Sequence, residues 1–244
     1  MLQTGMFATF KLAFVYLALG PIAGIVGIPY TLLVGDISVL YRVAMWITNA
    51  GVRAAGIKIE MTGLENVPPG RSCIFMSNHV SNLDPPVVLP LLPGRSSVLL
   101  KKELMNIPIL GRAMRMAKFV PVERGHRRDA AQASVEAAAD ALRSGLHILV
   151  YPEGTRSRDG RLSTFKKGPF FLAKETQAPI VPIALSGTQT MMHKGSNAIV
   201  PGLARIQMLP AVEPSKYETR EELLLAVRSA IAEALPPEMK PAVI

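Results

Sequence analysis

"SCIFMSNHVSNLDPPVV", residues 72–88, is the stretch whose reading decides the fold. It begins with a continuous apolar run, Cys73-Ile74-Phe75-Met76. Such a run is expected for a strand buried on both faces, as in a parallel sheet. It ends in Asp84-Pro85-Pro86, which opens a short helix, because proline fits the first helical turn where a backbone N–H has no partner in any case. Strand, polar loop and helix make one unit of an α/β layer fold. The loop holds His79, and Asp84 follows five positions later. Two readings of Asp84 stay open locally. It can cap its own helix, or it can orient His79 as a general base.

The same grammar continues from about residue 51. "IKIEMTG" (57–63) alternates and predicts a strand. Further strands are expected in "SSVLLKK" (96–102), "KFVPVERG" (118–125), "LHILVYPEGTRSRDG" (146–160, strand into polar loop), "APIVPIALSG" (178–187) and "LARIQMLPAVE" (203–213). Helices are expected over 102–117 with a break at Pro108, and over the Ala-rich 126–145 with Gly145 as its stop. Two more are expected over 165–177, entered near Gly168-Pro169, and over 219–235, where Thr219 and Glu222 have capping-box spacing. Strands alternating with helices predict an α/β fold with a largely parallel or mixed central sheet flanked by helices.

Ahead of this domain, "LAFVYLALGPIAGIVGIPYTLLVG" (12–35) carries no charge and is long enough to span a bilayer as a helix. Gly20-Pro21 and Pro29 interrupt it. A second apolar stretch follows at 37–52, with Asp36 placed to cap it and Tyr41 and Trp46 of interfacial character. A signal peptide fits poorly, since the run is long and lacks a clear small-x-small cleavage site. A buried core hairpin is the other alternative. The division read from sequence is a hydrophobic membrane-anchor segment at 1–50, either one kinked helix or a re-entrant hairpin, and a catalytic domain at 51–244. Basic residues on both sides of the anchor, Lys11 before it and Arg42, Arg53 and Lys58 after it, favour a hairpin with both ends cytoplasmic.

Composition narrows the function classes. Cys73 is the only cysteine, which excludes an intrachain disulfide or a cysteine metal site and predicts core packing for that thiol. Residues 91–174 hold 16 Lys and Arg against 7 Asp and Glu, so the whole net charge of +9 lies in the central third. A basic field of this kind attracts phosphate groups, or is simply a solvated surface.

In parallel α/β sheets ligands bind beyond the C-terminal ends of the strands. Four polar clusters follow four of the expected strands: "NHVSNLD", "KKE", "ER" and "EGTRSR". If those strands are parallel neighbours, His79 and Asp84 meet Lys101, Lys102, Arg124, Arg156 and Arg158 at one edge. A histidine can take a proton from a hydroxyl near neutral pH, and a carboxylate on its other nitrogen fixes the tautomer. Arg grips phosphate with a planar fork, and Lys or a backbone N–H can face a developing oxyanion. No G-x-S-x-G elbow, zincin histidine pair or P-loop occurs, which favours direct attack by a substrate hydroxyl over an acyl-enzyme. His-x4-Asp alone is a weak signal. His147 reads as a strand residue, His126 and His193 as loop residues.

Taken together, "NHVSNLD", "KFVPVERG", "YPEGTRSRDG" and "IVPIALSG", in this order, resemble the four blocks of the glycerolipid acyltransferase superfamily, most nearly its bacterial 1-acylglycerol-3-phosphate acyltransferases, and "KKELMNIPILG" is similar to the same group. The resemblance covers about residues 70–190. It implies a glycerol-3-phosphate acyltransferase-like fold and a membrane-attached enzyme on the cytoplasmic face of the cell membrane. That enzyme would move an acyl chain from acyl carrier protein or coenzyme A to the sn-2 hydroxyl of lysophosphatidic acid. It implies His79 as general base and Asp84 as its support. It implies Arg124, Gly154, Thr155 and Arg156 as the phosphate site, with Glu153 shaping it, Lys101 near the thioester or phosphate, and Pro182 structural. It implies no metal, no cofactor and no nucleic acid. The second block departs from the family's frequent Asp-Arg ending, reading Glu123-Arg124 here.

Overall fold

A computed structural model describes residues 2–122, 128–192 and 196–241. Seven strands form one sheet: β1 (Lys58–Thr62), β2 (Ile74–Ser77), β3 (Ser96–Lys101), β4 (Val120–Val122), β5 (His147–Val150), β6 (Ile180–Ser186) and β7 (Leu203–Met208). Their order is β1-β7-β6-β2-β5-β3-β4. From β6 to β4 every pairing is parallel. β7 runs antiparallel to β6 and carries β1 parallel to itself. The sheet is therefore mixed, and every strand expected from sequence is present.

The helices are α1 (Leu2–Val34), α2 (Ser38–Ala54), α3 (Asp84–Val88), α4 (Leu110–Met116), α5 (Arg128–Arg143), α6 (Gly168–Thr176), α7 (Thr188–Met191) and α8 (Arg220–Ala234). Alternation along β2 sorts its side chains into two cores. Ile74 and Met76 join Ile148, Val150 and Ile180 under α5, α6 and α8. Cys73 and Phe75 join Leu149, Val181 and Ile183 under α2 and α3. A strand buried on both faces cannot tolerate a polar side chain on either, which is why its sequence does not alternate. Each fully buried large side chain contributes about 1.5–3 kcal/mol relative to exposure. Burial pushes the Cys73 thiol up to about 11, so it packs as an apolar group and stays protonated. α8 opens on the expected capping box, with Thr219 Oγ1 accepting from the Glu222 N–H at 3.1 Å and Glu222 accepting from the Thr219 N–H at 3.4 Å.

The N-terminal segment differs from its simplest sequence reading. α1 continues through both Pro21 and Pro29, and α2 folds back against it. Two glycines of the helix pair are packing positions, while Gly20 has open space around it. A Cβ on Gly27 would meet Leu40 of α2, and one on Gly51 would meet Tyr16 of α1. Ile37, not Asp36, holds the N-cap position of α2; Asp36 precedes it, its Oδ1 accepting from the Ser38 N–H and hydroxyl at 3.0 and 2.7 Å, bonds that hold its carboxyl below the usual range. Tyr41 is not an interfacial residue. It is buried, and its hydroxyl accepts from the Ser96 N–H at 2.9 Å, joining α2 to β3. Trp46 is exposed. α2 runs through position 50 to Ala54, and Val52 and Ala55 sit in the core beneath the sheet. Gly5–Val34 is long and apolar enough to cross a bilayer, and Phe7, Phe10, Phe14, Leu17 and Leu33 stand exposed on it.

Candidate active site

The strands carrying the polar clusters, β2, β5, β3 and β4, are consecutive neighbours and parallel, so their C-terminal ends share one edge. The site is built around the end of β2. Asn78, buried just past the strand, continues the ladder with its side chain: Nδ2 donates to the Leu185 carbonyl at 2.9 Å and Oδ1 accepts from the Leu185 N–H at 2.8 Å. A carboxamide in that position replaces a backbone pairing partner, so the chain can leave the sheet at His79 without stranding the polar groups of β6.

His79 and Asp84 meet. Nδ1 of His79 lies 2.7 Å from Oδ2 of Asp84. An ionised carboxylate only accepts, so the proton sits on Nδ1 and Nε2 is the ring nitrogen with a lone pair for a substrate. Asp84 is fully buried, and Oδ2 also accepts from the N–H groups of Val80 and Ser81 at 2.7 and 2.8 Å. Those donors belong to the loop before α3. Asp84 opens α3 without a side-chain cap bond, and its carboxylate is turned to His79 and the preceding loop. Oδ1 accepts from the Thr188 hydroxyl at 2.7 Å.

Two residues following β5 complete the frame. The Tyr151 ring, just past the end of β5, stacks on His79 with centroids 4.3 Å apart. Among the described residues the buried Tyr151 hydroxyl has no partner. Burial, helped by Asp84, pushes its pKa well up. Glu153 is buried, with Oε1 accepting from the His79 N–H at 2.7 Å and Oε2 from the Ser163 N–H at 3.1 Å. Both Glu153 oxygens are thus engaged with backbone donors, which ties the segment after β5 to the backbone of His79.

Burial raises the Glu153 carboxyl above its ordinary value of 4.5, against the N–H bonds that lower it. A carboxyl with a higher pKa folded than unfolded binds protons more tightly in the native state, so its contribution to stability falls as pH rises through that window. The unfolding free energy of wild type relative to Glu153→Gln is thus expected to fall as pH rises above 4.5. The variant itself is expected to lose about 1–3 kcal/mol, because its NH2 faces one of the two donors. Urea unfolding at several pH values tests both, and a flat difference would mean that Glu153 titrates as an ordinary exposed carboxyl.

Gly154, at φ 74, turns the chain out of the core. Thr155, Arg156, Ser157, Arg158, Asp159 and Ser163 then line a cleft of about 450 Å³. It adjoins the base directly, since the Ser157 N–H donates to the His79 carbonyl at 2.8 Å. Asp159, exposed at the rim, accepts from Ser157 Oγ at 2.9 Å and the Arg161 N–H at 3.0 Å, which lowers its pKa. Lys101 ends β3, separated from β2 by β5 and so about 10 Å away by strand spacing. Its Nζ is 3.3 Å from Glu103. Arg124, Glu123, His126 and His193 lie outside the described residues. His147 is a strand residue as expected, its Nδ1 accepting from the Cys73 N–H at 3.0 Å. Among the described residues no three His, Cys, Asp or Glu side chains converge as a metal site.

Sequence reading missed Asn78, Tyr151 and Thr188. The rule that found the four clusters also reaches Thr188, because "SGTQT" is a fifth polar cluster at the end of a fifth parallel strand. Nothing local marks Tyr151 or Asn78.

A histidine paired with a buried carboxylate thus lies beside a cleft lined by arginine and hydroxyl side chains, at the strand ends of this sheet. The family model described as Acyltransferase matches residues 58–186, and the chain belongs to the Acyltransferase family. It is 34% identical over 157 residues to human 1-acyl-sn-glycerol-3-phosphate acyltransferase alpha, covering 64% of this chain and 56% of that protein. It is 32% identical over 188 residues to the 1-acyl-sn-glycerol-3-phosphate acyltransferase of Limnanthes douglasii, covering 76% and 66%. The chain thus spans about half to two thirds of these relatives' length. The fold matches the crystal structure of the 1-acyl-sn-glycerophosphate (LPA) acyltransferase PlsC from Thermotoga maritima. The TM-score is 0.78 at 25% identity, with 93% of this chain and 92% of that one covered.

Proposed function

We propose that this protein transfers a fatty acyl group from a thioester, carried by acyl carrier protein or coenzyme A, to the sn-2 hydroxyl of 1-acylglycerol 3-phosphate, giving phosphatidic acid. The observation that carries the reading is the His79–Asp84 pair beside the cleft of Thr155, Arg156 and Arg158. Nε2 of His79 takes the proton of the acceptor hydroxyl as its oxygen attacks the thioester carbonyl. Asp84 holds Nδ1–H and offsets the positive charge that forms on the ring. Collapse of the tetrahedral adduct breaks the C–S bond, and the leaving sulfur takes the proton back from His79. The acceptor's phosphate belongs in the cationic cleft, where Arg156 and Arg158 supply charge and Thr155 a hydroxyl donor. Arg124 is proposed to join them. The names of the relatives support the choice of acceptor.

The same reading attaches the protein to the cytoplasmic face of the cell membrane through α1 and the outward side of α2. The exposed Phe7, Phe10, Phe14 and Trp46 fit an apolar phase better than water. One reconstitution tests both parts. Purified protein, added to liposomes containing lysophosphatidic acid and given a labelled acyl thioester, is expected to float with the liposomes and to form phosphatidic acid. Monoacylglycerol, which has the hydroxyl but no phosphate, is expected to be a poor acceptor. Equal use of the two acceptors would remove the phosphate cleft from the reading, and protein left with the unbound fraction would remove the anchor.

A further inference from the structure

We infer that Thr188 is a positioning residue of this site: its hydroxyl fixes the orientation of the Asp84 carboxylate and, through it, the base His79. The inference rests on the assignment of His79 as base. Asp84 is fully buried and receives its donors unequally. Nδ1 of His79 and the N–H groups of Val80 and Ser81 all converge on Oδ2. Among the described residues Oδ1 has Thr188 alone, at 2.7 Å. The torsion that turns a carboxylate about its last carbon–carbon bond is broad and soft. Held on one oxygen only, the group can swing, and Oδ2 then leaves the line to Nδ1. A second donor on the far oxygen removes that freedom. It also satisfies a buried anionic oxygen that would otherwise have no protein partner.

Thr188 is built for this place. It has no exposed surface. Its two branches at Cβ restrict χ1, so the hydroxyl has few directions to choose from. It follows Gly187, whose φ of 96 is a backbone conformation that side chains disfavour, and whose Cβ, if present, would run into the Leu203 carbonyl. Only glycine allows the chain leaving β6 to turn this tightly against β7 and present the next residue to Asp84. At the other end of α7 the Ser81 hydroxyl donates to the Met192 carbonyl at 3.2 Å. The segment is thus tied at both ends to the loop that carries His79. The bond spans 104 positions of sequence and links neighbouring strands β6 and β2.

The test compares Thr188→Val, which keeps shape and removes the hydroxyl, with Thr188→Ser, which keeps the hydroxyl. Thermal unfolding serves as the control for folding, and Thr188→Ala replaces the valine variant if that one does not fold. Thr188→Val is expected to lose about 10- to 100-fold in kcat, the range for a hydrogen bond to a charged group, with KM for acceptor and donor near wild type. Thr188→Ser is expected to restore most of the rate. Independently of turnover, the downfield proton resonance of His79 Nδ1–H, assigned by its absence from His79→Ala, is expected to shift and to exchange faster with water in the valine variant only. A wild-type kcat in Thr188→Val overturns the inference. So does a serine variant as impaired as valine, or a rate loss with an unmoved resonance. Should the wild-type protein transfer no acyl group, the functional reading fails while the resonance still decides whether Thr188 holds the pair.

Discussion

His79→Ala is expected to lower kcat for acyl transfer by about 10²–10⁴-fold, the usual contribution of a positioned general base, with little change in acceptor KM. The structure explains why the loss falls on chemistry. The contacts that organise this segment use the His79 backbone: its N–H donates to Glu153 and its carbonyl accepts from the Ser157 N–H. Both survive truncation of the side chain, so the cleft lined by Thr155, Arg156 and Arg158 keeps its wall. The imidazole is 12% exposed, so water can reach the space it leaves. Stability is therefore expected to change little, which single-turnover acyl transfer combined with thermal unfolding separates cleanly. Wild-type turnover in His79→Ala, or an equal loss of turnover and folding, would overturn the assignment.

The fold was legible because its decisive signal is one of burial. Cys73 to Met76 lack alternation, the pattern expected of a short strand covered on both faces. The placement rule then needed only the parallel order of β2, β5, β3 and β4 to bring His79, Glu153 and Arg156 to one edge. What escaped reading depends on distant neighbours. Whether Asp84 caps a helix or holds a histidine is a balance of local preferences until Thr188, at the start of α7, occupies its second oxygen. Glu153 reads as a polar loop residue, yet it is buried because the His79 and Ser163 N–H groups need an acceptor there. In α1 the rule that proline and glycine break helices was outweighed by tertiary packing: Gly27 admits Leu40 of α2, Tyr16 packs where Gly51 of α2 lacks a side chain, and the helix runs on. Tyr41 failed as an interfacial aromatic for the same kind of reason, since its polar tip finds Ser96 inside the protein.

Asp84→Asn and Asp84→Ala are expected to fail in different ways, and the difference isolates the charge from the frame. In Asp84→Asn the amide oxygen can take the place of Oδ2 and keep its three donors, His79, Val80 and Ser81. The NH2 then faces Thr188, whose oxygen can accept as well as donate. The network stays connected but is neutral, and nothing offsets the imidazolium that forms when His79 takes a proton. The opposite amide rotamer sets an NH2 against those three donors and favours the wrong histidine tautomer. Either way kcat is expected to fall by about 10⁴-fold, as in other base–carboxylate pairs, with the protein still folded. Asp84→Ala instead leaves the Val80 and Ser81 N–H groups and the Thr188 hydroxyl buried without an acceptor. Each costs about 1–3 kcal/mol, against a total stability of about 5–15 kcal/mol for a typical protein, so this variant is expected to lose much of its stability. Urea unfolding and single-turnover transfer, measured on both variants, make the comparison. An asparagine variant with near wild-type kcat would mean that the charge of Asp84 does no catalytic work. An alanine variant as stable as asparagine would mean that water satisfies the three donors, and that the frame around His79 is held by Glu153 and Ser157 without the carboxylate.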